Sequence, residues 1–189
     1  MKTTRPKRIA ALLADAFQEE EFFLPKLALA RAGYAVDVVS LERRPIEMYS
    51  YFAQTGLLNV DRAIAETNPA DYAGILVAGG ARSPALLAQS DAIKTFVQAV
   101  NRSGGIVSSI CRGTLPPIKS GITRGKRVTG FNDAATYPDL CVEPHAIEAG
   151  AIWIDGKPVV VDGNLISSPH PDHADEFGQE LVRALGLRA

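Results

Sequence analysis

The sequence is poor in the residues that build disulfide frameworks and metal centres. Its 189 residues include only two cysteines, Cys111 and Cys141, which are too few for a disulfide framework. The three histidines are His145, His170 and His173, and none stands at metal-ligand spacing from another histidine or a cysteine. We therefore expect reduced thiols, no metal and no cofactor.

The sequence also lacks an excess of charge and a long apolar run. It has 20 lysines and arginines against 21 aspartates and glutamates, and a net charge of −1 leaves no basic stripe for nucleic acid or an anionic membrane. No apolar stretch approaches the ~20 residues that span a bilayer. The apolar run 9–14 is too short for a signal peptide. These absences favour a soluble, cytoplasmic protein.

The composition and the spacing of apolar residues predict an α/β fold. Apolar residues form 47% of the chain and charged residues 22%, and the length suits one domain over residues 1–189. Apolar runs predict buried strands at 8–14, 34–41, 72–78 and 106–110, and helical spacing occurs at 19–32, 91–101 and 172–185. A strand, a helix and a strand in succession imply a parallel sheet with right-handed crossovers.

Three segments between these elements are less regular. Within 42–60 the sequence predicts a hairpin with its tip at Gln54-Thr55-Gly56, and 62–67 predicts a short helix. Residues 131–144 are rich in turn formers such as Tyr137-Pro138-Asp139 and predict turns.

The stretch from Gly104 to Pro117 carries the strongest functional signal. Its strand, 106–110, runs directly into Cys111, and the start of a helix follows. A cysteine between a buried strand and a helix lies on a sharp turn, which is the geometry of a nucleophile elbow. Free backbone amides and the positive helix end favour a thiolate, so Cys111 is a candidate nucleophile. The alternative is a buried cysteine that packs as a small hydrophobe.

Three loops should meet beyond the carboxyl ends of the parallel strands, namely 15–21, 79–84 and 111–114. They bring carboxylates, free backbone amides and a thiol to one edge of the sheet. This set suits nucleophilic attack on a carbonyl group, with the N–H of Gly80 as an oxyanion donor. The alternatives are an ordinary strand-to-helix turn at the glycine pair and a solvated helix start at glutamates 19–21.

Several motifs occur along the chain in a characteristic order and spacing: Asp15-Ala16-Phe17 with Glu21 and Pro25, Ile75 to Gly80, Ser109 to Gly113, Gly125 to Thr129, Ala149 to Asp155, and Val161 to Ser168. With these motifs, residues 8–186 resemble the ThiJ/PfpI family, and its intracellular-protease branch is the most similar. The resemblance implies a flavodoxin-like three-layer sandwich, with a mainly parallel sheet and helices on both faces. Class I glutamine amidotransferase domains share this fold.

The resemblance also implies roles for single residues. Cys111 matches the reactive cysteine and Glu21 the acid that hydrogen-bonds its sulfur, so Glu21 would be protonated or share a proton with the thiol. The amides of Gly80 and Arg112 match the oxyanion hole. The pocket is expected to include Gln18, Gly79, Arg112 and His170. A homodimer or larger homo-oligomer is implied as well.

Some positions depart from the protease branch. The histidine that follows the cysteine in that branch is Arg112 here, and an arginine stays protonated and cannot act as a general base. It could lower the thiol pKa or bind an anionic substrate group. The branch takes a glutamate from a neighbouring subunit just after its glycine pair, whereas 81–85 contain no acid. The segment 131–144 is longer than usual and would reshape the pocket rim.

These departures shape the functional hypotheses. Peptide hydrolysis needs an acid for the leaving amine, and no residue is placed to supply it. Addition of a thiolate to a small reactive carbonyl compound is less demanding. We therefore expect glyoxalase-like, deglycase-like or hydratase chemistry by Cys111, with Glu21 moving protons. The alternatives are a stress-response redox sensor in which Cys111 is oxidised to a sulfinic acid without turnover, and a divergent protease-like or binding member.

Overall fold

The computed structural model describes residues 7–187 as six α-helices and twelve strands within that range. The helices are α1 Glu20–Arg31, α2 Ser83–Gln89, α3 Asp91–Arg102, α4 Leu115–Lys119, α5 Glu143–Glu148 and α6 Ala174–Gly186. The strands are β1 Arg8–Leu12, β2 Phe17–Gln18, β3 Ala35–Ser40, β4 Ile46–Ser50, β5 Ala53–Leu58, β6 Arg62–Ala63, β7 Gly74–Val77, β8 Ile106–Ile110, β9 Arg127–Val128, β10 Ile152–Trp153, β11 Val160–Asp162 and β12 Leu165–Ser168.

Seven strands form the central sheet, in the order β11-β12-β8-β7-β1-β3-β6. All neighbouring pairs are parallel except β11 and β12. In the middle of the sheet, Ala11 lies in register with Val38 of β3 and Leu76 of β7. The mainly parallel sheet and the crossover helices confirm the flavodoxin-like α/β fold.

Strand β1 shows why the fold has three layers. Its side chains alternate between two separate hydrophobic cores, because successive residues of a strand point to opposite faces. Ile9 belongs to the core that contains Phe22 of α1 and Phe177 of α6. Ala10 belongs to the core that contains Phe96 of α3. The strand is therefore apolar throughout, as expected for a sheet covered on both faces.

One local prediction in this part of the chain is wrong, and another holds only in part. The hairpin of β4 and β5 is present, but it turns at Tyr51-Phe52 and not at Gln54-Thr55-Gly56. The side chain of Gln18 accepts a hydrogen bond from the Tyr51 amide at 2.9 Å, and this contact from outside the hairpin holds the turn. Residues 62–67 begin as β6 beside β3, and only Ile64–Glu66 forms a short 3-10 helix.

The segment 131–144 contains more regular structure than its turn formers predict. It includes a 3-10 turn at Pro138–Leu140, and α5 begins at Glu143. This helix is stabilised by tertiary packing, since Ala146 is fully buried against Ile118 and Val128 in a small third core. Within the described range of the chain, no helix has the length and apolar character needed to cross a bilayer.

Helices α1 and α6 pack against each other on one face of the sheet. A glycine of α6, Gly178, lies directly over Pro25 of α1. A Cβ atom at position 178 would lie 3.0 Å from the Pro25 Cα and 3.3 Å from the Ala28 Cβ. Because such distances are shorter than ordinary contacts, the absence of a side chain sets how closely the two helices approach.

The pair Gly178→Ala and Gly186→Ala tests this contact within one helix. We expect Gly178→Ala to lower the free energy of unfolding by about 1–3 kcal/mol through overpacking. A Cβ atom at Gly186 would have no neighbouring atom within 4 Å, so Gly186→Ala should raise stability by up to about 0.5 kcal/mol through helix propensity. Urea unfolding measures both. Equal effects would show that the α1–α6 contact is loose.

Candidate active site

Cys111 lies on the sharp turn that the sequence predicts. It follows β8 directly, begins a 3-10 helix that ends at Thr114, and adopts a φ of 58°. The turn is packed tightly against β7, because a Cβ atom at Gly113 would clash with the Val77 carbonyl oxygen. The cysteine is 8% exposed. The elbow therefore holds the thiol at the carboxyl end of the sheet in a strained backbone conformation.

The carboxyl group of Glu21 lies beside this thiol. Glu21 is 1% exposed, hydrogen-bonds the Cys111 side chain, and accepts a hydrogen bond of 2.5 Å from the Gly79 amide. The other two glutamates of the run point elsewhere. Glu19 accepts from the Thr55 hydroxyl at 2.5 Å, and Glu20 accepts from the Ser50 hydroxyl. Only the third glutamate of the helix start therefore turns into the protein.

Burial controls the ionisation of both groups. It raises the pKa of Glu21 from 4.5 to about 8, against the opposing hydrogen bonds from Gly79 and Cys111. Burial is also the largest cause that raises the pKa of the Cys111 thiol, and the charge of an ionised Glu21 raises it further. The amide and the guanidinium of Arg112 lower this pKa. The net direction is opposite to that expected from the helix end alone. At pH 7 the pair is therefore mostly uncharged, and it takes on one negative charge as the pH rises through about 8.

Two backbone amides border the sulfur. The Arg112 amide faces Cys111, and within residues 7–187 neither it nor the Gly80 amide donates a hydrogen bond to a protein oxygen. Gly80 adopts a φ of 108°, and a Cβ atom there would clash with the Ala16 carbonyl oxygen. Glycine is therefore required at this position. Gly79 lies behind Glu21, which it holds through its amide, and it does not border the cavity.

A cavity of about 320 Å³ opens above these groups. Of the residues predicted for the site, it is lined by Gln18, Glu21, Gly80, Cys111, Arg112 and His170. The residues that sequence reasoning did not single out are Tyr51, Phe52, Ala81, Phe131, Asp133, Tyr137, Leu140 and Pro171. Four of these belong to the segment 131–144, which does form part of the pocket rim. The sequence did not indicate that Tyr51 and Phe52 line the cavity, because their position depends on where the hairpin turns.

The mouth of the cavity is aromatic. The ring of Tyr137 lies 6.1 Å from that of Phe52 and 6.3 Å from that of Phe131, measured between centroids. Phe52 is 80% exposed at the hairpin tip. The hairpin and the segment 131–144 thus meet through ring contacts above a polar base, as in many small-molecule sites.

His170 lies at the rim and is held by its own loop. Its Nδ1 accepts a hydrogen bond of 3.3 Å from the Asp172 amide and lies 3.2 Å from the Asp172 carboxylate. No histidine of residues 7–187 hydrogen-bonds to Cys111. In the same range, no three histidine, cysteine or acidic side chains lie close enough together to hold a metal ion.

The elbow cysteine, its buried acid partner and the fold around them agree with a comparison across known families. Residues 7–184 match the DJ-1/PfpI family. The chain belongs to the DJ-1/PfpI family. The ThiJ/PfpI resemblance that the motifs indicate is thereby confirmed over almost the whole chain.

Curated relatives and solved structures give the same result. The chain is 30% identical over 183 residues to protein/nucleic acid deglycase 2 of Escherichia coli, covering 95% of this chain and 98% of that one. It is 32% identical over 178 residues to a deglycase of Pyrococcus abyssi, covering 94% and 99%. The crystal structure of Drosophila melanogaster DJ-1beta superposes with a TM-score of 0.81 at 25% identity, covering 95% of this chain and 90% of that one.

The buried Glu21 carboxyl makes stability depend on pH. Its pKa is higher in the folded protein, so its contribution to stability is present below pH 4.5 and is lost as the pH rises through about 8. Glu21→Gln keeps the neutral form at every pH. We expect the free energy of unfolding of the variant, relative to that of the wild type, to rise by up to a few kcal/mol as the pH increases from 4.5 to about 8. Urea unfolding at several pH values measures the difference, and a constant difference would contradict the raised pKa.

Proposed function

We propose that this protein is a cysteine-dependent enzyme that acts on small α-oxoaldehydes and their adducts with amines, by glyoxalase-type or deglycase-type chemistry. Relatives at about 30% identity that are named deglycases support an activity of this class. One observation carries the proposal: a thiol, a carboxyl that is mostly neutral at pH 7, and two backbone amides that donate to no protein oxygen of residues 7–187 lie at the base of one cavity.

The reacting form would be the Cys111–Glu21 pair after one proton has left to solvent, with the negative charge on the sulfur and the remaining proton on Glu21. The first step would be addition of this sulfur to the aldehyde carbon. The carbonyl electrons move to oxygen, where the amides of Gly80 and Arg112 would stabilise the developing charge. Glu21 would then give its proton to this oxygen, so a hemithioacetal forms while the acid becomes a carboxylate. A raised pKa suits Glu21 to this exchange because the proton can leave and return near neutral pH.

The later steps would need no external oxidant or reductant. The Glu21 carboxylate would take the proton from the former aldehyde carbon and return it to the neighbouring carbon, while the hydroxyl proton moves to the neighbouring oxygen. The result is a thioester of an α-hydroxy acid, and water would release the acid and restore the thiol. An early adduct of the aldehyde with an amine would enter the same sequence after losing its amine.

Proteolysis has less support from the geometry. Peptide cleavage needs a proton for the leaving amine, usually from an imidazole next to the nucleophile. In residues 7–187 no imidazole hydrogen-bonds to Cys111, and the Nδ1 of the rim residue His170 is occupied by Asp172. A reactive aldehyde has no leaving amine, so this site is better suited to it.

The proposal is tested by incubating the protein with methylglyoxal and measuring lactate. We expect Cys111→Ala to show no turnover, and Glu21→Gln to lose roughly 100- to 10,000-fold in kcat/KM because proton transfer is lost. Cys141→Ala is the matched control, since Cys141 is also buried but does not line the cavity. It should retain activity. Full turnover by Cys111→Ala, or none by the wild type, would overturn the proposal.

A further inference from the structure

The side chain of Arg112 is only partly satisfied by the protein. Its Nη1 donates to the carbonyl oxygens of Gly80 at 3.1 Å and Ala81 at 2.5 Å. Within residues 7–187, its Nε and Nη2 have no hydrogen-bond partner, and no carboxylate oxygen lies within 4.0 Å of its nitrogen atoms. The two carbonyls orient the guanidinium and leave several of its N–H groups free.

This cation is half-buried in the cavity that contains the thiol. Burial lowers the pKa of Arg112, and the neighbouring Cys111 opposes that change. Arginine nevertheless stays charged at any working pH. A partly desolvated cation without a counterion is costly, and the guanidinium fork fits a carboxylate in a bidentate pair. The side chain is therefore arranged to receive an anionic group.

The acidic side chains and the histidine of the cavity do not supply that anion, and the Cys111 thiol is mostly protonated at pH 7 because burial raises its pKa. Glu21 is mostly neutral at pH 7 because burial raises its pKa to about 8. The Asp133 carboxylate accepts a hydrogen bond of 3.1 Å from the Thr136 amide and is not paired with Arg112. His170 contacts Asp172 at the rim. The guanidinium is thus the charged group at the cavity base that still has binding capacity.

We propose that Arg112 binds a carboxylate of the substrate, and that the preferred substrates are α-oxoaldehydes, or their adducts, that carry a carboxylate a few bonds from the reacting carbonyl group. This inference rests on the proposed function and specifies its substrate class. The same residue presents its amide to the Cys111 sulfur and its side chain to the cavity. A substrate could therefore contact both groups of Arg112 with one short molecule.

Carboxyethylglyoxal and its methyl ester test this proposal, because they differ in the negative charge and share the reacting group. In the wild type we expect kcat/KM to favour the acid over the ester by roughly 10- to 100-fold, the effect typical of a hydrogen bond to a charged group. Arg112→Met should abolish the preference for the acid, whatever it does to both substrates in common. Arg112→Lys should restore part of it, since it keeps the charge without the fork.

Arg82→Met is the matched control for general electrostatics. Arg82 pairs with Glu47 outside the cavity lining, so its removal should leave the ratio of acid to ester unchanged. If Arg112→Met lowers kcat/KM equally for the acid and the ester, the proposal is overturned. That result would mean that the Arg112 side chain only holds the Gly80 carbonyl in place. A wild type without preference for the acid would overturn it as well.

A binding measurement separates this proposal from the proposed function. Glutarate should protect Cys111 from alkylation by iodoacetamide in the wild type, and this protection should disappear in Arg112→Met. The uncharged diamide of glutarate should protect Cys111 in neither the wild type nor Arg112→Met. If methylglyoxal is turned over but glutarate gives no protection, the carboxylate site is refuted and the function stands. If glutarate protects but no α-oxoaldehyde is turned over, the function fails and the carboxylate site stands.

Discussion

The buried carboxyl of Glu21 is the contact on which the functional end of the molecule depends. It joins the start of α1, the glycine turn after β7 and the elbow after β8, through the Gly79 amide and the Cys111 thiol. Because a Cβ atom at Gly79 would lie 2.7 Å from the Glu21 carboxylate oxygen, only glycine permits this approach. Burial then keeps the acid mostly neutral at pH 7, which lets it sit beside a sulfur without charge repulsion.

The same helix start also builds the wall of the cavity. Its two solvent-facing acids, Glu19 and Glu20, accept hydrogen bonds from the hairpin, and Gln18 holds the hairpin turn. Residues with a left-handed φ other than glycine, within the described residues, are Ala16, Tyr51 and Cys111. Each lies on a loop at this end of the sheet. Strain is thus concentrated where the backbone must present the thiol and the aromatic mouth.

Charge is distributed in the cavity so that its base can attract an anion. With Glu21 mostly neutral at pH 7, the Arg112 guanidinium is held by two carbonyl oxygens and has no carboxylate partner among residues 7–187. In the proposed reaction, the Arg112 amide and side chain would act on two different parts of one substrate. Chemistry and substrate selection would therefore depend on the same short turn after Cys111.

The sequence alone determined the layered α/β fold and the elbow. Local apolar spacing and glycine positions are enough to indicate the buried strands and the strand-to-helix turn. It also indicated the acid run at 19–21, although only the resemblance to a family singled out Glu21. Tertiary structure decided which acid is buried, where the hairpin turns, that 143–148 is helical, and what the Arg112 side chain contacts. These features depend on contacts between residues distant in the chain, such as Gln18 with Tyr51 and Glu21 with Gly79. The local spacing of apolar residues does not indicate such contacts.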